Sequence, residues 1–317
     1  MEFALTEEQQ ELAATVRSLL DRRGDARVVT YDEALWSTLC EQIGVAALHV
    51  PEQHDGVGAS LFESLVVLEE IGRSLVPSPL LSSLVVSEAL LAGADDDAQA
   101  RLLPRIAAGE VAAFVDGDGP VLDGDLASIV VAATDDGLVE VTDAETAWVP
   151  TMDRTIRLAT VTGGTRTRIG DGPVARERAR LVGAVGAAAL AAGLAARALE
   201  MTVAYARDRV QFGRPIGSFQ ALKHRMADML VLAEMSRSAS WAASYAVARH
   251  ADDAGQLAHV AKSYCCDALA TIAGETIQLH GGIAITWEHD AHLVFKRAHA
   301  LGQLFGTPRE HRALVTL

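Results

Sequence analysis

Residues Arg209-Val210-Gln211-Phe212-Gly213-Arg214-Pro215-Ile216-Gly217-Ser218-Phe219-Gln220 follow a long helical stretch and contain two arginines and no acidic side chain. That balance suits a surface meeting phosphate, because an Asp or Glu there would repel the anion. Further along, Gln278-Leu279-His280-Gly281-Gly282 closes another helical stretch. The stretch before Arg209 runs from about Ala175 to Arg207, roughly 30 residues and so about 45 Å. Its small side chains, among them Gly183, Ala184, Gly186, Ala187 and Ala188, permit close helix packing. Pro215 marks a break. A second long helix is expected from Ser218 as N-cap, a third over 254–280, and a fourth from near Thr286 through Leu293 to Leu304. Four such helices predict a bundle over residues 173–317.

Upstream, residues 111–172 change character. Ile129-Val130-Val131, Leu138-Val139-Glu140-Val141 and Thr155-Ile156-Arg157-Leu158 are punctuated by Asp135-Asp136-Gly137, Gly163-Gly164 and Gly170-Asp171-Gly172. This predicts a small antiparallel β domain with hairpins. Residues 1–110 read as helices: a Thr6/Gln9 capping box ahead of Leu12, Val16, Leu19 and Leu20, then apolar-periodic segments near 32–43, 61–74, 80–92 and 97–108. Pro51, Gly56 and Gly58 mark a loop between two of them. The fold class is α+β, mostly α: an N-terminal helical domain, an abbreviated antiparallel β middle domain and a C-terminal four-helix bundle.

Composition narrows the function. The chain has 317 residues, half of them apolar, with 27 Lys plus Arg against 42 Asp plus Glu. It is long enough for a large core, and its net charge of −15 argues against a nucleic-acid partner. Cys40, Cys265 and Cys266 form no disulfide framework and lack metal-ligand spacing, so a reducing cytoplasm is the expected compartment. Met1 to Thr6 shows no leader pattern. Leu181 to Ala196 is uncharged but mostly Ala and Gly, which fits a buried helix and not a membrane span.

The two motifs, in this order on a helical background, resemble those of the acyl-CoA dehydrogenases. Tyr205-Ala206-Arg207-Asp208-Arg209, Phe212-Gly213, Pro215 and Phe219-Gln220 carry the resemblance, with Gln278 and Gly281-Gly282; Val50-Pro51-Glu52 through Gly56 and Gly58 is similar to the family's early loop. The resemblance covers nearly the whole chain. It implies a tetramer in which one subunit's C-terminal domain contacts the ADP half of the FAD whose flavin lies mainly in its neighbour. Carried over by position, Arg209 meets the pyrophosphate, Phe212 lines the flavin side, Gln220 reaches the adenosine end, and Gln278, Gly281 and Gly282 offer an amide and close backbone. A guanidinium grips phosphate oxygens in fork geometry, and glycines let main chain approach. Taken singly, Arg209 reads as a solvated helix-end arginine, Phe212 as core and Gly281-Gly282 as a helix terminator.

The family's reaction takes a proton from Cα of an acyl-CoA thioester and needs a positioned carboxylate. The usual Glu falls at Phe305, in Phe305-Gly306-Thr307, so no catalytic residue is assigned. The alternative position on the first long bundle helix falls near Gly183, with Glu177 the nearest upstream acid. The family's two flavin-ring segments are not intact; Phe114 to Pro120 and Trp148-Val149-Pro150 stand near them. The resemblance thus implies a non-catalytic subunit of a heteromeric, α2β2 enzyme of the bacterial steroid-catabolism type. It would complete a partner's FAD site, with acyl-CoA bound mainly by that partner and no membrane involved. A self-sufficient homomer with a displaced base and a flavin-free scaffold are the other readings. Trp287-Glu288-His289-Asp290 with His292 reads as a helix start, His280 as a packed or cofactor-edge histidine, and Glu63, Glu69 and Glu70 as the solvated edge of a helix.

Overall fold

Residues 4–27 and 31–316 are described by the structure, a computed structural model; the start of the leader reading, at residues 1–3, lies outside them. The N-terminal helices are α1 (Glu7–Arg23), α2 (Glu33–Ile43), α3 (Leu61–Ser74), α4 (Leu80–Gly93) and α5 (Asp96–Ala107). Their starts are set by side-chain caps. Thr6 and Gln9 form the anticipated capping box on α1, and Ser60 forms another with Glu63 on α3. Asp32 and Asp95 cap α2 and α5.

The β domain comprises β1 (Ala112–Val115), β2 (Val121–Leu122), β3 (Ile129–Thr134), β4 (Gly137–Val149) and β5 (Leu158–Gly170), in the order β1-β3-β4-β5-β2. The β2–β5, β3–β4 and β4–β5 pairings are antiparallel as expected, whereas β1 runs parallel to β3. Thr155 to Arg157 belong to the turn before β5, and the strand starts only at Leu158. Gly163-Gly164, expected to mark a turn, instead lie inside β5. Both have positive φ opposite Asp143 (φ 55°), where the long β4–β5 ribbon kinks without ending.

The C-terminal domain begins with α6 (Gly172–Asp208), 37 residues capped by Asp171 and opened by Pro173. By length and composition α6 could cross a membrane, but 83% of its apolar stretch is buried inside this chain, so it is the core helix. Gly72 and Gly193 let α3 and α6 meet backbone to backbone: a Cβ at Gly193 would fall under 3.0 Å from the Glu69 carbonyl, and one at Gly72 would strike Leu190. The bundle continues with α7 (Gln220–Ala248), α8 (Ala254–His280), α9 (Ala291–Gln303) and a short α10 (Pro308–Ala313). Ser218 is not the N-cap of α7. It lies in a 3-10 turn with its Oγ donating to the Pro215 carbonyl, and Phe219 precedes the helix with no side-chain cap.

The largest apolar cluster runs through all three regions, with two small satellites at Ala13, Phe62 and Val66 and at Val130, Ala132 and Val141. Buried Arg297 on α9 pins the three regions together: Nε donates to Asp153 Oδ2 at 2.5 Å, and Nη2 donates to Thr155 and, at 3.2 Å, to the Leu75 carbonyl. The solvated-edge reading of α3 fails for two of its three acids. Glu70 is buried and ion-paired to Arg17 at 2.6 Å, and Glu69 accepts from Trp241 Nε1 of α7 at 2.6 Å. Burial raises the Glu69 carboxyl to about 7. Both acids fasten α3 to neighbouring helices.

Candidate functional site

The first motif folds into a rim at the end of α6. Arg209 terminates the helix, its N–H bonded to the Tyr205 carbonyl at 2.9 Å. Strands β6 (Val210–Gln211) and β7 (Arg214–Pro215) then form a minimal hairpin. Phe212 and Gly213 make its turn with φ 53° and 75°, the pair of positive values a tight two-residue hairpin needs. Phe212 is thrust outward, 92% exposed, so the core reading of this residue does not hold. Its ring meets Phe219 edge-on at 6.1 Å, and Arg214 lies 4.0 Å over Phe219. Arg209 is exposed and makes no ion pair among the described residues. Gln220, the first residue of α7, is also exposed; its amide is 2.7 Å from His224 Nε2.

The second motif closes α8 beside this rim. His280 stacks on Tyr205 of α6 with ring centroids 4.4 Å apart, and His289 packs against both rings, its centroid 4.3 Å from that of His280 and 6.0 Å from that of Tyr205. His280 is buried, in keeping with a packed histidine. Its Nδ1 donates to the Thr276 carbonyl at 2.7 Å, and burial lowers its pKa. Gln278, Gly281 and Gly282 are exposed. Gly281 needs its positive φ of 64° to end the helix. At Gly281 and Gly282 a Cβ would meet none of the described residues within 4 Å. Internal packing therefore does not account for Gly282, and its open space fits close approach by a group from outside. Exposed arginine, exposed amides and bare glycines are groups that suit the phosphate and amide-bonding edges of a dinucleotide.

The Phe305 turn is built differently. Phe305 and Gly306 have φ 54° and 95°, and Thr307 starts α10 with a capping box to Glu310. The Phe305 ring packs on Gly183 of α6, where a Cβ would fall under 3.0 Å from it. The two positions at which a base was sought are thus in contact, and their shared space holds an aromatic ring on a glycine. Glu310 accepts from Thr307 N and Oγ1 at 2.7 and 2.9 Å, and those bonds hold its pKa below the usual range. Its carboxylate serves the turn. Glu177 lies six residues before Gly183, about 120° around the helix from it.

The turn borders a cleft of about 1220 Å³ between the β domain, α6 and the start of α8. Asp116, in the segment near the first missing flavin-ring motif, bridges Arg176 and Arg180 at 3.1 and 2.6 Å, and Arg178 pairs with Glu88 at 2.5 Å. Trp148, near the second, lies on the exposed β4–β5 ribbon with Arg157 over its ring at 5.6 Å. The described residues contain no cluster of His, Cys, Asp or Glu suited to a metal ion, Glu288, His289 and His292 included.

Helical start, small sheet and long-helix bundle together are the layout of the acyl-CoA dehydrogenase family. The chain belongs to that family: residues 6–110 match its N-terminal domain and residues 170–316 its C-terminal domain. Among individual proteins it is similar to the acyl-CoA dehydrogenase IpdE2 of Mycobacterium tuberculosis, 46% identical over 313 residues that span 96% of this chain and 95% of the relative. Its fold is also that of a chain in a variant of the Tcur3481–Tcur3483 steroid ACAD (28% identity, TM-score 0.85, 98% and 96% of the two chains covered). A chain of the ChsE4–ChsE5 complex of Mycobacterium tuberculosis shares the fold too (24% identity, TM-score 0.86, 99% and 97% covered).

Proposed function

We propose that this chain is the non-catalytic subunit of a heteromeric, α2β2 acyl-CoA dehydrogenase of the cytoplasm and completes the FAD site of a different, base-bearing partner. The observation that carries this reading is the contrast within one domain. The Arg209 rim is exposed and uncommitted, while both base positions are taken up by Phe305 on Gly183. Arg209 would hold the pyrophosphate, Phe212 would cover the flavin side, and Gln220 and Gln278 would meet the adenosine end beside Gly281 and Gly282. FAD, when bound between the subunits, supplies the hydride acceptor for α,β-dehydrogenation of the thioester. Proton removal falls to the partner, because among the described residues no carboxylate occupies the Phe305–Gly183 space. Two neighbours in fold are named as two-component assemblies, and one of these is called a steroid ACAD; this supports a partner subunit and a bulky, steroid-derived acyl-CoA as substrate.

Purification of the chain alone and with a co-expressed partner tests the reading. Flavin absorbance and thioester oxidation are expected only in the co-purified complex. Oxidation by the chain alone, with Glu177 the acid to replace next, would favour the self-sufficient homomer. Colourless material in both preparations would favour the scaffold. Within the complex, Arg209→Ala is expected to weaken FAD retention about tenfold, the scale of one charged hydrogen-bonded contact, while the subunits still co-elute. Unchanged flavin content would remove Arg209 from the site.

A further inference from the structure

Lys262 of α8 is closed off from solvent, one turn beyond the His259–His311 pair, whose Nδ1 atoms lie 2.9 Å apart. Its Nζ donates to the Leu301 carbonyl of α9 at 3.0 Å and to Cys266 Sγ at 3.3 Å. It makes no ion pair among the described residues. The acids nearby are committed elsewhere, Asp267 to Arg312 at 2.7 Å and Glu310 to Thr307. A carbonyl and a thiol carry no charge, so no anion offsets the cost of holding an ammonium out of water. Cys266 stands on the same face of α8 at i+4 and is itself buried. A primary amine and a nucleophilic sulfur are thus held in contact inside the protein.

The adjacent thiol is used differently. Cys265 points about 100° around the helix from Cys266 and donates to the Ser236 carbonyl of α7 at 3.2 Å. Small molecules have a way in on the Cys266 side. Ala258 and His259, one turn before Lys262, line an open cleft. At buried Gly302, next to Leu301, an added Cβ would meet none of the described residues packed around it within 4 Å. Space of that kind admits a reagent close to water in size. Burial raises the Cys266 thiol, with the Lys262 charge acting against the rise, so its attack on an oxidant is slow.

We infer that Lys262 and Cys266 form a modification site that hydrogen peroxide closes into a sulfenamide crosslink. Cys266 Sγ attacks peroxide: an S–O bond forms, the O–O bond breaks, sulfur gives up two electrons, and sulfenic acid and one water result. The Lys262 amine, its ammonium proton released, then attacks that sulfur. The N–S bond forms, the S–O bond breaks, and the hydroxyl leaves with an amine proton as a second water. Thiol, amine and peroxide thus give the crosslink and two waters. Burial favours this uncharged product over the ammonium it replaces. The link also shields the sulfur from a second peroxide, which would carry it irreversibly to sulfinic acid. No residue of the Arg209 rim takes part, so the inference holds whatever becomes of the cofactor assignment.

Prolonged exposure of the folded full chain to hydrogen peroxide tests it, followed by alkylation in denaturant without reductant and tryptic mapping. The expected product spans residues 250–296, is uncut after Lys262, and is two hydrogens lighter than the linear peptide. Dithiothreitol should restore both the free thiol and the cut. A Cys265–Cys266 disulfide would have the same mass, so Cys265→Ala is treated in parallel and must still form the link. In Lys262→Met the link should be lost and Cys266 should go on to sulfinic or sulfonic acid. Full alkylation of Cys266 after peroxide, oxidation without the link, or loss of the product in Cys265→Ala would each overturn the inference. Should a variant fail to fold, fragment spectra of the unaltered chain decide. They must join Lys262 Nζ to Cys266; undiminished tryptic cutting after Lys262 sinks the assignment.

Discussion

The Arg209–Gln220 rim and the Phe305 turn belong to one helical domain and use positive-φ residues in opposite ways. At the rim, Phe212 and Gly213 turn the chain so that an aromatic ring leaves the protein and none of the described residues fills the glycine's open side. At the turn, Phe305 and Gly306 direct a ring inward onto Gly183, and His311 and Glu310 tie the backbone down. A surface completed from outside must leave its donors and backbone free, whereas a surface retired from chemistry can be packed. Unoccupied space around a glycine, as much as the glycine itself, separates the two kinds of region.

The sharpest test of that distinction exchanges like for like. Gly193→Leu drives a side chain into the Glu69 backbone and is expected to cost about 3 kcal/mol or more, read from the shift of the urea midpoint. Gly282→Leu should leave stability within about 0.5 kcal/mol, since none of the described residues stands there, yet lower the flavin content of the complex. A large stability loss at Gly282 would erase the contrast.

Beneath the turn, Asp123 tests the packed side through pH. It shares a small internal cavity with Arg297 and Leu304, accepts from Ser82 Oγ at 2.7 Å, and is raised by burial from 3.8 to about 7. The folded chain therefore holds this proton where the unfolded chain has lost it. The resulting stabilisation is complete below about pH 3.8 and is lost as pH rises through about 7. Asp123→Asn keeps the acceptor for Ser82 and suits the positive φ of 54°. It should be stabilising by about 1–3 kcal/mol at pH 8 and close to neutral under acidic conditions, as measured by urea unfolding at both ends of the range.

The smallest expected effect is at Thr307. Removing its cap with Thr307→Ala should cost about 1 kcal/mol in thermal unfolding and leave flavin retention at the rim unchanged. A loss of flavin would mean that the two regions are not independent.

Features with a local signature were legible in the sequence. The Thr6/Gln9 box, the apolar periodicity of α2 to α5 and the Ala- and Gly-rich run of α6 each encode their element within a few residues. The absence of a carboxylate at Phe305 was equally plain. The features missed depend on partners distant in the chain. Ser218 looks like a cap, but its hydroxyl bonds back to Pro215 in a 3-10 turn. Gly163-Gly164 has the composition of a hairpin turn and serves as a kink because β4 continues opposite it. Glu69 and Glu70 fall on the polar face of an isolated helix, and Trp241 and Arg17 take them inside. The contact of Phe305 with Gly183 and the His259–His311 pair join residues with no pattern between them, so nothing short of the fold reveals them.

The length of α6 has a mechanical consequence. Its 37 residues form a rod of about 55 Å that starts against the β domain, carries Gly183 beneath the Phe305 ring and ends at Arg209. From Gly193 to Arg209 the arm is about 24 Å, so a tilt of about 3° displaces the tip by about 1.3 Å. The backbone seats at Gly72 and Gly193 act as its fulcrum, so the glycines of the interior set how accurately the guanidinium at the far tip is aimed.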